Sequence, residues 1–217
     1  MTTQELIDLY NILIDKYGSA YQTDDEIIDL LNMAHYEYLN RLVPDSQGGI
    51  VNFEFDSNTL QNLKPLVWTL SVSTNGSGSV TTAALDTAVQ TASSDATAEV
   101  FRIMSIGYDD KPVRFLKQND AWSFTKNFFK APSTSNPRYT VEGSGYQLWP
   151  KTSFADVEFA VIKTPKKLAL TPSPVNPELS DYVLTNILMI ALQFGGISIR
   201  DQELIMDIRN NTIQNAK

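Results

Sequence analysis

The stretch NPRYTVEGSGYQLWPKTSFADVEFAVIKTPKK, Asn136 to Lys167, constrains this chain more than any other. Three strand-like runs follow one another in it. Tyr139-Thr140-Val141-Glu142 alternates in character. Tyr146-Gln147-Leu148-Trp149 alternates again and stops at Pro150, and Val157 to Ile162 is a third run, closed by Pro165. The Gly143-Ser144-Gly145 break can supply the positive φ of a tight hairpin. The pattern predicts an antiparallel meander, with helices before and after it that need a sheet face to pack on.

Helical patterns flank it. Thr2 to Tyr17 opens with capping-box spacing, Thr2 to Glu5, and repeats Leu6, Leu9, Tyr10, Leu13 and Ile14 at threes and fours up to Gly18. A second helix runs from about Asp24 to Leu42, with Thr23 and Glu26 as its box and Ile27, Leu31, Ala34, Tyr38 and Leu42 as one stripe. Pro44 and Gly48-Gly49 mark its exit. The two predict a helical hairpin. After the meander, TPSPVNP is an extended connector. Asn176 is placed to cap a helix from Glu178 to Phe194, with Pro177 at its first position. That helix is apolar over much of its circumference, as in a core or an interface. Asp201 to Ile213 is a last amphipathic helix. The fold class is therefore α+β: an N-terminal helical hairpin, a central antiparallel meander and C-terminal helices, in one domain spanning 1–217.

Between hairpin and meander the signals are shorter. Val51 to Phe55 alternates like a strand, and Asn58 to Leu63 is a helical turn or two. Leu66 to Val72 and Glu99 to Ile106 read as strands. Asp109-Asp110 marks a turn, Val113 to Leu116 a returning strand, and Asn119 the cap of a helix from Asp120 to Phe129. Residues 71–98 stand apart. They are mostly Ser, Thr, Ala and Gly, with Asp86 and Asp95 as the only charges. Such a stretch buries little apolar area for each residue it orders. Two readings follow: a flexible insertion, or a long hairpin that orders against a neighbouring subunit.

With no cysteine and one histidine, the chain has no disulfide, thiolate nucleophile or multi-histidine metal site within itself. Its net charge of −8 argues against a general nucleic-acid-binding surface. MTTQELIDLY lacks the basic and apolar regions of a signal peptide, and Val183 to Phe194 is too short and polar to span a bilayer. The expectation is a soluble protein made inside the cell, without a membrane partner.

Each candidate constellation has a plain structural reading. Asp24-Asp25-Glu26 suits a helix's first turn better than a cation site. His35 sits on an apolar helix face with no nucleophile motif beside it. Gly143-Ser144-Gly145 and Gly76-Ser77-Gly78 lack the GK[ST] or third glycine of phosphate loops. Arg138, Lys151, Lys163, Lys166 and Lys167 give a local basic patch that suits phosphates or an acidic partner, or guards edge strands. Tyr139, Tyr146, Trp149 and Trp122 offer a sugar-stacking platform or ordinary packing. No residue set points to a cofactor, a metal or catalysis.

The order of parts resembles the head-to-tail connector, or ring-adaptor, proteins of short-tailed phages, especially the crAss-like group. The resemblance rests on TDDEIIDLLNMAHYEYLNRL (Thr23 to Leu42), KPVRFLKQNDAWSFTKNFFKA (Lys111 to Ala131), NPRYTVEGSGYQLWP, VEFAVIKTPKKLAL and ELSDYVLTNILMIALQFGG. It covers about two thirds of the chain, by arrangement and without a catalytic signature, and residues 71–98 have no counterpart in it. It implies a non-enzymatic virion protein, synthesised in the host cytoplasm and placed at the head–tail junction. Its partners would be copies of itself in a cyclic homo-oligomer (a dodecamer), the portal protein, and tail or other connector proteins. DNA would pass transiently through the ring, whose acidic balance keeps DNA from adhering. Under this resemblance Leu179, Val183, Ile187, Ile190, Phe194, Leu204 and Ile208, with residues 71–98, are the expected subunit contacts. The alternative from another class is a β-rich binding or decoration module, part of a capsid or fibre, recognising glycan or another virion protein. An enzyme would need a pocket of titratable groups with shifted pKa.

Overall fold

A computed structural model describes residues 1–17, 22–43, 57–126, 131–143 and 145–195. Its helices are α1 (Thr3–Tyr17), α2 (Asp24–Leu42), α3 (Ser57–Leu63), α4 (Thr82–Ser93), α5 (Gln118–Lys126) and α6 (Asp181–Phe194). Its strands are β1 (Val67–Val72), β2 (Ser79–Thr81), β3 (Val100–Tyr108), β4 (Lys111–Pro112), β5 (Arg114–Phe115), β6 (Arg138–Glu142), β7 (Gly145–Trp149) and β8 (Val157–Lys163). The fold is α+β, as expected. Where the sequence predicts one domain over 1–217, the elements gather into two compact units, Met1–Leu42 with Pro165–Lys217, and Val43–Thr164. The expected strand Val51 to Phe55, the helix Asp201 to Ile213, and the ends at Gly18, Pro44 and Gly48-Gly49 lie outside the described residues, as do Phe128, Phe129 and the side chains of Asn119 and Trp122.

The first unit is helical. Both capping boxes close. Thr2 N–H donates to Glu5 Oε2 at 2.7 Å and Glu5 N–H to Thr2 Oγ1 at 3.2 Å. Thr23 N–H donates to Glu26 Oε2 at 2.9 Å, and Glu26 N–H returns to Thr23 Oγ1 at 3.4 Å. α6 packs on α2 and α1, burying Val183, Ile187 and Ile190 together with Leu6, Leu13, Leu31 and Leu39 of this unit. The connector before α6 is tied down at both ends. Asn32 exchanges two bonds with the Leu168 backbone, at 2.8 and 3.2 Å. Asn176 does not cap α6, whose N-cap is Ser180. Its Oδ1 accepts from Thr3 N–H at 3.1 Å and so serves the first turn of α1, a partner that sequence spacing cannot reveal.

The second unit carries two four-stranded sheets, ordered β1-β8-β3-β4 and β2-β7-β6-β5. β6 and β7 form the expected antiparallel hairpin. β8 departs from the meander: it lies in the other sheet, antiparallel to both β1 and β3. The reason is its burial. Phe159, Val161, Ile162 and Lys163 are all buried, so β8 is a central strand covered on both faces, and the Pro150–Asp156 segment is long enough to change sheets. The return strand expected at Val113 to Leu116 splits. β4 closes on β3 through a turn in which Asp109 and Asp110 both have positive φ, and β5 then joins β6 in parallel. Leu70, Ile103, Phe159 and Val161 of the first sheet share one core with Val80, Tyr139 and Leu148 of the second.

Residues 71–98 are neither a flexible insertion nor a long hairpin. They form a turn, β2 and α4. β2 pairs with β7, and α4 packs on β1, β3 and β2. Val80, Leu85, Val89 and Ala98 enter the core. A few apolar residues at helical spacing are enough to dock a segment of this composition. Alanine costs no side-chain entropy, Thr81 caps α4, and Thr87 and Thr91 bond back to carbonyls one turn earlier at 2.8 and 2.9 Å. The two charges anchor the segment: Asp86 Oδ1 accepts from Val100 N–H at 2.8 Å, and Asp95 meets Lys163.

Candidate functional site

β5 and β6 place Arg114 beside Arg138, and β6 and β7 place Arg138 opposite Trp149. The neighbours of these residues show which face they share. Phe115 and Tyr139 contact at 5.4 Å between ring centroids, and Tyr139 and Leu148 are core residues. By strand alternation, Arg114, Arg138 and Trp149 stand on the opposite face, where Arg114 is exposed, Arg138 and Trp149 are half-buried, and Thr140 and Gln147 are buried. Lys151 joins them from beyond the end of β7, with its ammonium 4.7 Å from the Trp149 ring centroid. The indole N–H donates to Thr140 Oγ1 at 3.3 Å, which fixes the ring that carries the lysine. The result is a row across three strands, Arg114, Arg138 and then Trp149 with Lys151 at its ring. Adjacent strands lie about 4.8 Å apart. Glu142 is on the same face but four residues along β6, roughly 13 Å away at strand rise. Among the described residues, no carboxylate is within ion-pair distance of Arg114, Arg138 or Lys151.

The five cations singled out in the sequence do not act together. Arg138 and Lys151 meet at Trp149. Lys163 is buried and lies 4.0 Å from Asp95, where it can touch no phosphate. Lys166 and Lys167 belong to the helical unit; Lys166 pairs with Glu178 at 3.7 Å, and Lys167 is exposed. Arg114 was missed. Its place in the row depends on a parallel pairing that no local pattern announces.

The aromatic platform is not assembled. Tyr139 and Tyr146 lie on the inner face, 6.3 Å apart, and Tyr146 contacts Phe159 at 6.2 Å. Burial pushes both phenols' pKa upward; the neighbouring Tyr146 adds to the rise at Tyr139, whereas Arg102 partly opposes it at Tyr146. Of the platform residues whose side chains are described, Trp149 alone stands on the other face. Of the expected subunit contacts, Leu179, Val183, Ile187 and Ile190 are covered within the chain, and Phe194 is exposed. Leu204 and Ile208 lie outside the described residues.

Asp24, Asp25 and Glu26 form the first turn of α2. Asp24 and Asp25 line a shallow open depression with Thr23, Leu170 and Thr171. No group of three His, Asp or Glu among the described residues is placed to hold a metal. No helix among them is long and apolar enough to cross a membrane. His35 is buried, with Nδ1 3.0 Å from Leu31 O; burial lowers its pKa to about 4. A comparison with protein-family models finds no match, and a comparison with curated proteins finds none.

Proposed function

We propose that this chain is a structural, non-enzymatic virion protein of a tailed phage, a head-to-tail connector subunit that closes into a ring between portal and tail. The observation that carries the reading is where the chain's elements gather. α1 and α2 from one end and α6 from near the other build one helical unit, and the two sheets come between them in sequence. That is the order of parts on which the resemblance to crAss-like ring adaptors rests. Large apolar side chains remain exposed on all three helices: Ile12, Met33, Tyr182 and Phe194. Exposed groups of this kind suit contact with further subunits. The net charge of −8 suits a conduit through which DNA slides without sticking. In this reading the partners are further copies in a twelve-fold ring, the portal and tail proteins, and DNA in passage, at the head–tail junction. The glycan-binding alternative is less well supported, because Tyr139 and Tyr146 are packed inward, on the face opposite Trp149.

Negative-stain microscopy with native mass spectrometry tests this, on the chain alone and mixed with a candidate portal. Closed rings in either sample are expected and give the symmetry directly. A monomer that ignores the portal would overturn the reading, and a glycan screen would then decide the alternative.

A further inference from the structure

We propose that the row of Arg114, Arg138 and Lys151 around Trp149 docks Asp24 and Asp25 of a second copy of this chain, an inference that rests on the ring reading above. The row is built to receive carboxylates. Arg114 and Arg138 are paired in register on neighbouring strands, and a guanidinium is a planar donor fork that matches carboxylate geometry. Lys151 lies with its ammonium 4.7 Å from the indole centroid. Among the described residues, nothing of opposite charge pairs with any of the three.

The same geometry disfavours other occupants. A sugar or a nucleobase would need an open ring face, but Lys151 takes a face of Trp149 and Thr140 takes its N–H. The indole serves as a seat for the ammonium. A polyanion as large as duplex DNA would also meet a chain of net charge −8 around a small patch.

Charge complementarity names the second copy. Two chains of charge −8 repel unless their approach sets cations against carboxylates. Asp24 and Asp25 are exposed, and neither appears in an ion pair with a described cation. Glu26, the third acid of that turn, is committed to Thr23. A ring also requires a heterologous contact, with two different complementary patches on every subunit. A cationic row on the sheet unit and an acidic turn on the helical unit satisfy that requirement.

A charge swap on the full chain tests the contact. Sedimentation velocity and native mass spectrometry would follow four samples: wild type, R114E/R138E/K151E, D24K/D25K, and an equal mixture of the two variants. Wild type should self-associate in dilute buffer and dissociate as salt rises. Each variant alone should lose association by about tenfold or more, since like charges then face each other. The mixture should restore it, because each variant supplies what the other lacks. R114Q/R138Q/K151Q, with thermal melts of every variant, guards against misfolding and should show a smaller loss. If wild type associates and the variants match it, the contact is wrong while the ring reading stands. If wild type never self-associates and no mixture does, the contact is also wrong, and the portal-mixed sample alone then judges the ring. If the row variants lose only binding of a single-stranded oligonucleotide, the second copy is the wrong occupant.

Discussion

Lys163 Nζ lies 4.0 Å from Asp95 Oδ2, and the two side chains are 1% and 9% exposed. The pair joins the segment after α4 to the central strand β8. Asp95 also holds its own turn, accepting from Thr97 N–H at 3.0 Å and Thr97 Oγ1 at 2.8 Å through Oδ1. Asp95→Asn keeps that turn but removes the charge facing a buried ammonium. It should cost about 3 kcal/mol in urea unfolding, because the charge facing a buried ammonium is removed. Lys163→Met should cost less, and adding it to Asp95→Asn should recover part of the loss. A double variant as unstable as the sum of the singles would show that the pair is not coupled.

α4 should behave as core and not as an appendage. Leu85 and Val89 are buried against the sheets. Leu85→Ala should destabilise the protein by about 2–4 kcal/mol, as other buried leucines do. In limited proteolysis of the wild-type chain, 79–93 should resist cleavage until global unfolding. Early cleavage within that range would contradict its packing.

Much of this fold was legible because its signals are local. The capping boxes at Thr2 and Thr23, the apolar stripes of α1, α2 and α6, and the β6–β7 hairpin all follow from spacings of a few residues. What could not be read depends on distant partners. Nothing near Asn176 announces Thr3, and nothing near Val157 tells whether β8 joins β7 or slips between β1 and β3. Residues 71–98 misled through composition. Small polar residues suggest flexibility, yet Val80, Leu85 and Val89 fall at the few positions that face a core made by other segments. The cationic row was half visible. Arg138 and Lys151 flank Trp149 in sequence, whereas Arg114 arrives by a parallel pairing and Lys163 turns inward on a strand whose two faces are both covered.

Gly145 and Gly143 were expected to share a turn role, but they differ physically. Neither has positive φ. At Gly145 an added Cβ would overlap the carbonyl oxygen of Val80, so the glycine lets β2 lie close against β7. At Gly143 an added Cβ meets nothing. Gly145→Ala should therefore cost about 2 kcal/mol or more, since backbone must move. Gly143→Ala should be within roughly 0.5 kcal/mol of wild type. Equal effects in thermal or urea melts would refute the close-approach account.

His35 should make the helical unit acid-sensitive. A carbonyl only accepts, so the bond to Leu31 O puts the proton on Nδ1 of a neutral ring. Burial lowers the folded-state pKa from 6.5 to about 4, and the Leu31 bond only partly opposes it. Above pH 6.5 the ring is neutral in both states and contributes no pH dependence. As pH falls from 6.5 towards 4, the unfolded chain takes up a proton that the folded chain refuses, so stability is lost across that window. The full loss is on the order of 3 kcal/mol, and about 2 kcal/mol of it should already be gone at pH 5, before most carboxylates titrate. His35→Gln can donate a similar bond but does not titrate. The stability difference between wild type and His35→Gln should therefore shift against wild type by about 2 kcal/mol between pH 7 and pH 5. A difference that stays flat over that interval would mean that the ring is protonated, or hydrated, inside the folded helices.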